Sequence, residues 1–222
     1  MRAVHGSPTV TRGPIDVAPN PNAPLALTDI LPRHAYARQR PATRPAAMAH
    51  RRRRTLSLGD FGDVFFEDRE TMHYQVQEIA RVEQIDDADG LRAELAVYNH
   101  LIPDGDGWCA TVMFRGGLHL SNSGQGTGAW LTVLIAGTPV EQVEVDWDLD
   151  HGPHPAGVHF IRLRAGAHQR DQLRSGAPMS LLLDTGNHGP VVVRPILGRL
   201  RQALVGDLAP GIARRGRLAA VS

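Results

Sequence analysis

The sequence predicts an α+β fold, in which helices cover an antiparallel sheet and a disordered N-terminal arm precedes the domain. Two features of the apolar pattern indicate this class. Apolar residues recur at helical spacing up to about residue 100, and from residue 108 they alternate with a period of two. The strand-like segments also follow one another directly, which favours antiparallel pairing over the repeated βαβ units of a parallel sheet.

The first half of the domain is predicted to be mostly helical. Order is expected to begin at 27–31, where Thr28 or Asp29 can cap a first helix and Pro32 lies near its first turn. Further helices are predicted over 46–54, 71–85 and 91–100, with a short strand over 64–66. Pro41 and Pro45 interrupt the chain before the second helix, which therefore starts only after them. The third helix is the clearest, because Asp68 or Thr71 can cap it and four apolar residues form a stripe along it.

The second half of the domain is predicted to supply the sheet. The segments in chain order are strands over 108–115, 129–136, 140–149, 158–164, 179–183 and 191–194, with helices over 165–174 and 196–208. Acidic and apolar residues alternate along the third of these strands, so one of its faces is buried and the other is purely acidic.

Three parts of the chain differ in character. Residues 1–24 contain five prolines and no apolar periodicity, so they are predicted to be a disordered extension. Residues 25–208 form a single α+β domain, and residues 209–222 are predicted to be a flexible basic tail. A chain of 222 residues is long enough for one such domain with a substantial core.

Composition excludes several classes of protein. No stretch is long and apolar enough to span a membrane, and the N-terminus lacks the apolar region of a secretory signal, so a cytoplasmic location is expected. Cys109 is the single cysteine, which rules out an internal disulfide. The chain has no lysine, and its glycine-rich segment 123–128 lies between strands with no helix after it. A nucleotide cofactor is therefore not expected.

Positive charge is concentrated near the N-terminus. Residues 1–54 hold ten arginines and two aspartates, and four of the arginines are consecutive, at positions 51–54. Such a cluster can neutralise phosphates, but no aromatic residues are interleaved with it and no known reader motif accompanies it. Nucleic-acid binding is therefore considered unlikely, and pairing with the acidic remainder of the chain or simple solvation is favoured.

One polar constellation is a candidate for chemistry. Glu67, Glu78, Glu94 and His159 are predicted metal ligands, and their oxygen and imidazole donors suit iron or manganese. Gln75 and Tyr98 are predicted to support them, since Gln75 shares a helix face with Glu78 and Tyr98 shares one with Glu94. The alternative is that the carboxylates lie on the solvent side of ordinary amphipathic helices and that His159 is a core histidine.

Several of these residues also belong to motifs of a known family. The segments VFFEDRETMHYQVQEIARVE (64–83), ELAVYNHLIP (94–103), AT (110–111) and VHFIR (158–162) carry the likeness. Together they resemble an uncharacterised bacterial family, a domain of unknown function, over about residues 27–208. Genes of that family often neighbour those for rubrerythrin-like proteins and iron–sulfur oxidoreductases. The resemblance therefore implies a redox or metal context and a redox protein partner, by association alone.

These observations lead to two functional hypotheses. The first is a cytoplasmic metal- or redox-associated protein, for which a non-haem metal enzyme with the Glu/His site is one form. The second is a non-catalytic accessory or assembly protein for a redox partner, in which the same residues form a buried structural network. Whether the chain is an enzyme, its substrate and its oligomeric state are left open by the sequence.

Overall fold

Two antiparallel sheets and a layer of helices make up the described part of the chain, residues 21–121, 128–145, 157–186, 189 and 191–208 of a computed structural model. The helices are α1 (Arg33–Arg53), α2 (Arg69–Val82), α3 (Ala88–Tyr98), α4 (Ala167–Arg174) and α5 (Gly198–Asp207). The strands are β1 (Thr55–Ser57), β2 (Gly62–Phe66), β3 (Gly107–Phe114), β4 (Trp130–Ile135), β5 (Thr138–Pro139), β6 (Gln142–Val145), β7 (Val158–Arg164), β8 (Met179–Asp184) and β9 (Val192–Pro195). The predicted α+β class is confirmed.

The strands form two sheets where the sequence predicted one. The first sheet has the order β1-β2-β3-β7-β6 and the second the order β5-β4-β8-β9. The two sheets face each other across the main hydrophobic core, to which Val112 and Ile161 contribute from the first and Val133 and Leu181 from the second. Every pairing of neighbouring strands is antiparallel in the described residues.

The central strand β3 is buried on both faces. Trp108, Ala110 and Val112 point into the core between the sheets, whereas Cys109 belongs to a second apolar cluster under the helices. The Cys109 thiol lies 3.6 Å from the carbonyl oxygen of His100, and burial raises its pKa to about 11. The first sheet is therefore the middle of three layers, with the second sheet on one side and helices α2 and α3 on the other.

Helix α2 starts where β2 ends, through a reciprocal cap. The Asp68 carboxylate accepts a hydrogen bond from the Thr71 amide at 2.9 Å, and the Thr71 hydroxyl accepts one from the Asp68 amide at 2.9 Å. Met72 and Val76 then pack against the sheet. The cap fixes the direction of the chain at residues 67 and 68, directly after the last residue of the strand.

Helix α1 continues through both of its prolines, so the prediction of a helix that starts only after them is wrong. Pro41 and Pro45 both lie on exposed positions of the helix. A proline removes the hydrogen bond to the carbonyl four residues earlier, and on an exposed face water can satisfy that carbonyl instead. The long helix packs against α2 rather than ending at the prolines.

A buried arginine joins α1 to the other elements. The Arg54 side chain is 4% exposed, and its guanidinium donates to the carbonyl oxygens of Phe66 at 2.9 Å and Glu67 at 3.2 Å. It also donates to the Asp207 carboxylate of α5 at 2.5 Å. Burial weakens the preference of Arg54 for its proton, yet Asp207 and Asp68 keep its pKa above the usual value. One side chain thus connects the end of β2 with the last helix.

The N-terminal residues of the described range pack onto the domain. Asn22, which the sequence assigned to the extension, is 9% exposed and donates to the carbonyl oxygen of Asp207 at 3.1 Å. The Asn99 side chain holds the Leu25 backbone through two hydrogen bonds, of 2.7 and 3.0 Å. Residues 1–20 of the predicted arm, the predicted tail 209–222 and the acidic positions 146–150 lie outside the described residues.

None of the described helices, in the ranges given above, combines the length and the apolar character needed to cross a bilayer.

Substitution of Gly107 tests how closely β3 packs against β7. A Cβ atom at this position would overlap the carbonyl oxygen of Leu163, so Gly107→Ala should lower the free energy of unfolding by about 3 kcal/mol. Gly206 in α5 faces open space, and Gly206→Ala should instead raise it by about 0.5–1 kcal/mol. Urea unfolding of both variants measures the difference, and equal effects would contradict this packing.

Candidate functional site

A small cavity lies on the helix-covered face of the first sheet. It has a volume of about 110 Å³. Its floor is the outer face of β3 and β7, and its walls come from α1, α2 and α3. The residues that line it are Arg51, Glu67, Met72, Gln75, Tyr98, Leu101, Thr111, Met113, Val158 and Phe160.

Glu67 is the buried acid of this cavity. It follows β2, and because side chains alternate along a strand it takes the face opposite to Phe66, toward the helices. Glu67 is 3% exposed, and its Oε1 accepts a hydrogen bond from the Thr111 hydroxyl at 2.7 Å. The Arg54 guanidinium and the Cys109 carbonyl oxygen both hold its backbone, so the side chain starts from a fixed position.

The environment raises the pKa of Glu67 above its ordinary value. Burial is the largest cause, because it disfavours the charged carboxylate. The hydroxyls of Thr71 and Thr111 and the positive charge of Arg51 act in the opposite direction, but burial prevails. Glu67 therefore holds its proton to a higher pH than an exposed glutamate does, as acids that exchange protons with bound molecules commonly do.

Arg51 supplies positive charge at the same cavity. Its guanidinium carbon lies 4.3 Å from the centre of the Phe65 ring, which is a cation–π contact. Its Nε is buried, and within the described ranges no hydrogen-bond acceptor reaches it. The guanidinium is thus held in place by a ring while one of its donors is unused.

Gln75 and Tyr98 reach the cavity from α2 and α3. Burial, the largest cause, and the negative charge of Glu94 raise the pKa of the Tyr98 phenol, while Gln75 acts in the opposite direction. Glu94 is half-buried beside Tyr98 and does not line the cavity. Glu67, Gln75 and Tyr98 are therefore the predicted site residues that the structure brings together.

Glu78 lies on the side of α2 that faces α1. Its carboxylate accepts hydrogen bonds from the Tyr36 hydroxyl at 2.7 Å and from two nitrogens of Arg40 at 2.7 and 2.8 Å. The Arg40 guanidinium lowers the pKa of Glu78 to about 2. Glu78 is therefore a charged carboxylate in a helix–helix ion pair, and it points away from the cavity.

His159 lies on the other face of the first sheet. It pairs with Val112 across β3 and β7, while its neighbour Phe160 faces the cavity, because side chains alternate along the strand. Its Nε2 accepts a hydrogen bond from the Leu120 amide at 3.3 Å, and its ring contacts the rings of Phe114 and His119. A sheet separates it from Glu67.

The four predicted metal ligands consequently do not meet in one place. Glu67 faces the cavity, Glu78 faces α1, Glu94 flanks Tyr98, and His159 lies beneath the sheet. In the part of the chain that the structure describes, no group of three or more His, Cys, Asp or Glu side chains is placed to hold a metal ion.

Two residues of the cavity were not singled out in the sequence. Arg51 was treated as one of four equivalent arginines, yet Arg54 is buried, Arg51 is half-buried on Phe65, and Arg52 and Arg53 are exposed. Thr111 enters the sequence prediction only as part of the two-residue motif AT (110–111). A hydroxyl within the apolar strand 108–114 is the signal that could have identified it, since a buried hydroxyl needs a partner.

The fold and this cavity define a class of protein, an α+β domain whose helix-covered sheet holds a buried acid beside a small internal space. The chain belongs to the family described as Protein of unknown function (DUF3501), whose model matches residues 24–208. The family expected from the motifs is thereby confirmed at this level.

A solved structure has the same fold. A protein of unknown function from Burkholderia pseudomallei K96243 superposes with a TM-score of 0.73 at 30% sequence identity. The match covers 84% of this chain and 100% of that one. Comparison with curated proteins gives no significant match.

Glu78 provides a pH-dependent test of the α1–α2 contact. Its folded-state pKa is below the unfolded value, so the pair stabilises the protein above about pH 4.5 and this contribution fades as pH falls toward 2. Glu78→Gln should lower the free energy of unfolding by about 2 kcal/mol at pH 7 and by little near pH 2. Urea titrations measure this, with exposed Glu83→Gln as the control; a loss independent of pH would contradict it.

Glu67 should show the opposite dependence. Its folded-state pKa is above the unfolded value, so the stability of the protein relative to Glu67→Gln should fall as pH rises above about 4.5. Thr111→Val removes a hydrogen bond to the charged form and should raise this pKa further.

Infrared titration of the protonated carboxyl band, assigned by its loss in Glu67→Gln, measures the pKa of Glu67 directly. Thr132→Val removes a buried hydroxyl from the second sheet and serves as the control, with no expected change. A Glu67 that ionises at or below the ordinary value of an exposed glutamate would show that burial does not dominate its environment.

Proposed function

We propose that the protein binds a small polar molecule in the cavity of Glu67 and that Glu67 exchanges a proton with that molecule. The observation that carries the proposal is a buried acid with a raised pKa that faces an internal space. Such a group can give a proton to a bound molecule or take one from it. The chemistry is therefore general acid–base chemistry.

Comparison of two glutamates in the same chain supports this role. Glu78 has the surroundings of a structural carboxylate, with a guanidinium fork, a phenol and a lowered pKa. Glu67 makes no ion pair within the described residues, and the direct hydrogen-bond partner of its side chain there is the Thr111 hydroxyl. A purely structural position would not need an ionisable group here, because glutamine could accept the same hydrogen bonds.

The size of the cavity limits what it can hold. A volume of about 110 Å³ corresponds to roughly three to four water molecules at their liquid volume of about 30 Å³ each. A small organic molecule of a few non-hydrogen atoms fits this space. The walls combine apolar side chains with a few polar groups, as small-molecule sites usually do.

The hypothesis of a metal site stays a prediction, with a smaller set of candidate ligands. Glu67, Gln75 and Tyr98 place three oxygen donors around one cavity, and oxygen donors suit iron or manganese. The alternative hypothesis of an accessory protein for a redox partner is favoured if the cavity binds nothing. Both are decided by the same binding experiment.

The experiment is a calorimetric titration of the full chain with a panel of small molecules from four classes: carboxylates, amines, uncharged polyols and inorganic anions, with Mn²⁺ alone as a further probe. Each titration is run in two buffers of different ionisation enthalpy, which gives the number of protons exchanged. We expect at least one organic molecule to bind with proton exchange, and Glu67→Gln to remove that exchange.

Exposed Glu141→Gln is the matched control and should behave as the natural chain does. If no organic molecule of the panel binds, or if proton exchange is unchanged in Glu67→Gln, the proposal fails. Binding of Mn²⁺ without any organic ligand would replace it by the metal hypothesis.

A further inference from the structure

We infer that the molecule bound in the Glu67 cavity is a small carboxylate and that Arg51 binds its carboxylate group. This inference rests on the proposed function, since it names the class of ligand for the same cavity. It starts from the unused donor of Arg51, a buried Nε that no acceptor reaches in the described part of the chain. Buried donors of this kind are rare in folded proteins, and in the described residues the Arg51 Nε shares this state only with the Arg81 Nε. The Arg51 side chain differs in that it lines a cavity, where a bound molecule can supply the acceptor.

In the described residues the Nε of the other arginines donates either to a backbone carbonyl, as Arg54 does to Phe66 at 2.9 Å and Arg69 to Ala23 at 3.1 Å, or to a carboxylate. Two arginines show the carboxylate arrangement. Arg33 donates from Nε and Nη2 to the two carboxylate oxygens of Asp86, at 3.0 and 2.6 Å. Arg40 uses the same two nitrogens on the two oxygens of Glu78, at 2.7 and 2.8 Å. A guanidinium edge matches the spacing of carboxylate oxygens, so this fork is the usual geometry of the pair.

Arg51 is held ready for such a partner. The Arg51 guanidinium carbon lies 4.3 Å from the centre of the Phe65 ring, and this cation–π contact positions the charge. The side chain lines the cavity together with Glu67. The carboxylate of Glu67 itself accepts a hydrogen bond from Thr111 and makes no ion pair with Arg51 in the described residues. An oxygen pair from a ligand is therefore the acceptor that completes the site.

The rest of the cavity argues for one carboxylate and against a phosphate. Phosphate binds where several donors converge on it, whereas this cavity offers a single arginine and an acid that would repel a second negative charge. Met72, Leu101 and Phe160 add apolar walls, which fit a short hydrocarbon body. Gln75, Tyr98 and Glu67 are then left for a second polar group on the ligand.

The electrostatic interaction between Arg51 and Glu67 predicts whether ligand binding takes up a proton from solution or releases one. The positive charge of Arg51 lowers the pKa of Glu67, although burial outweighs it. A bound carboxylate neutralises Arg51 and adds negative charge nearby, so the pKa of Glu67 rises further. Binding at a pH just above that pKa should therefore take up a proton from solution rather than release one.

The test compares small carboxylates with their own amides, which have nearly the same shape and no charge. Propionate and lactate are titrated into the full chain beside propionamide and lactamide, with inorganic phosphate as a further probe. We expect at least one acid to bind tenfold or more tightly than its amide, with net proton uptake. Arg51→Gln should remove this preference, and Arg51→Lys should restore part of it.

Arg52→Gln changes the adjacent, exposed arginine and should leave the preference unchanged. Because the acid–amide comparison is made on the natural chain, it decides the inference even if a variant at position 51 does not fold. Equal affinity for acid and amide, tighter binding of phosphate, or an unchanged preference in folded Arg51→Gln would overturn the inference. Binding of uncharged molecules alone would overturn it while leaving the proposed function intact.

Discussion

The buried Arg54 guanidinium is the interaction on which the arrangement of the site depends. It holds the carbonyl oxygens of Phe66 and Glu67, and it pairs with Asp207 at the end of α5. The Asp68 carboxylate lies 3.3 Å from its Nε and accepts a further hydrogen bond at 2.7 Å, from His50. Removing one partner of such a buried pair typically costs about 3–5 kcal/mol. The same group that stabilises the fold therefore fixes where the Glu67 side chain begins.

The chain uses the same residue types in two ways. Glu78 and Arg40 form a complete pair between helices, with a lowered carboxylate pKa and both oxygens bonded. Glu67 and Arg51 share a cavity without forming an ion pair, and both retain capacity for another partner. The difference arises from position, since the first pair closes an interface while the second lines a space. The first pair stabilises the contact between α1 and α2, whereas we propose that a ligand completes the second.

Much of the architecture was predictable from local pattern. Strand β7 over 158–164 follows from its alternation, and the start of α2 follows from Asp68. Glu67, Gln75 and Tyr98 were chosen for their shared helix faces and motif positions, and they do meet. The division of the strands into two sheets depends on pairing between residues far apart in the sequence, which the local spacing of apolar residues does not indicate. Helix α1 passes its prolines because they face solvent, and only Arg51 and Arg54 of four equivalent-looking arginines pack inward, which tertiary contacts decide.

The buried Cys109 thiol can report on the opening of the helical layer. It is the single cysteine of the chain, and it lies on the helix-facing side of β3. A thiol reagent can reach it only after the helical layer lifts from the sheet, and burial keeps the thiol protonated at neutral pH. The rate of its modification would therefore measure how often that layer opens. Since the same layer covers the Glu67 cavity, this thiol would also report whether a bound molecule holds the layer closed.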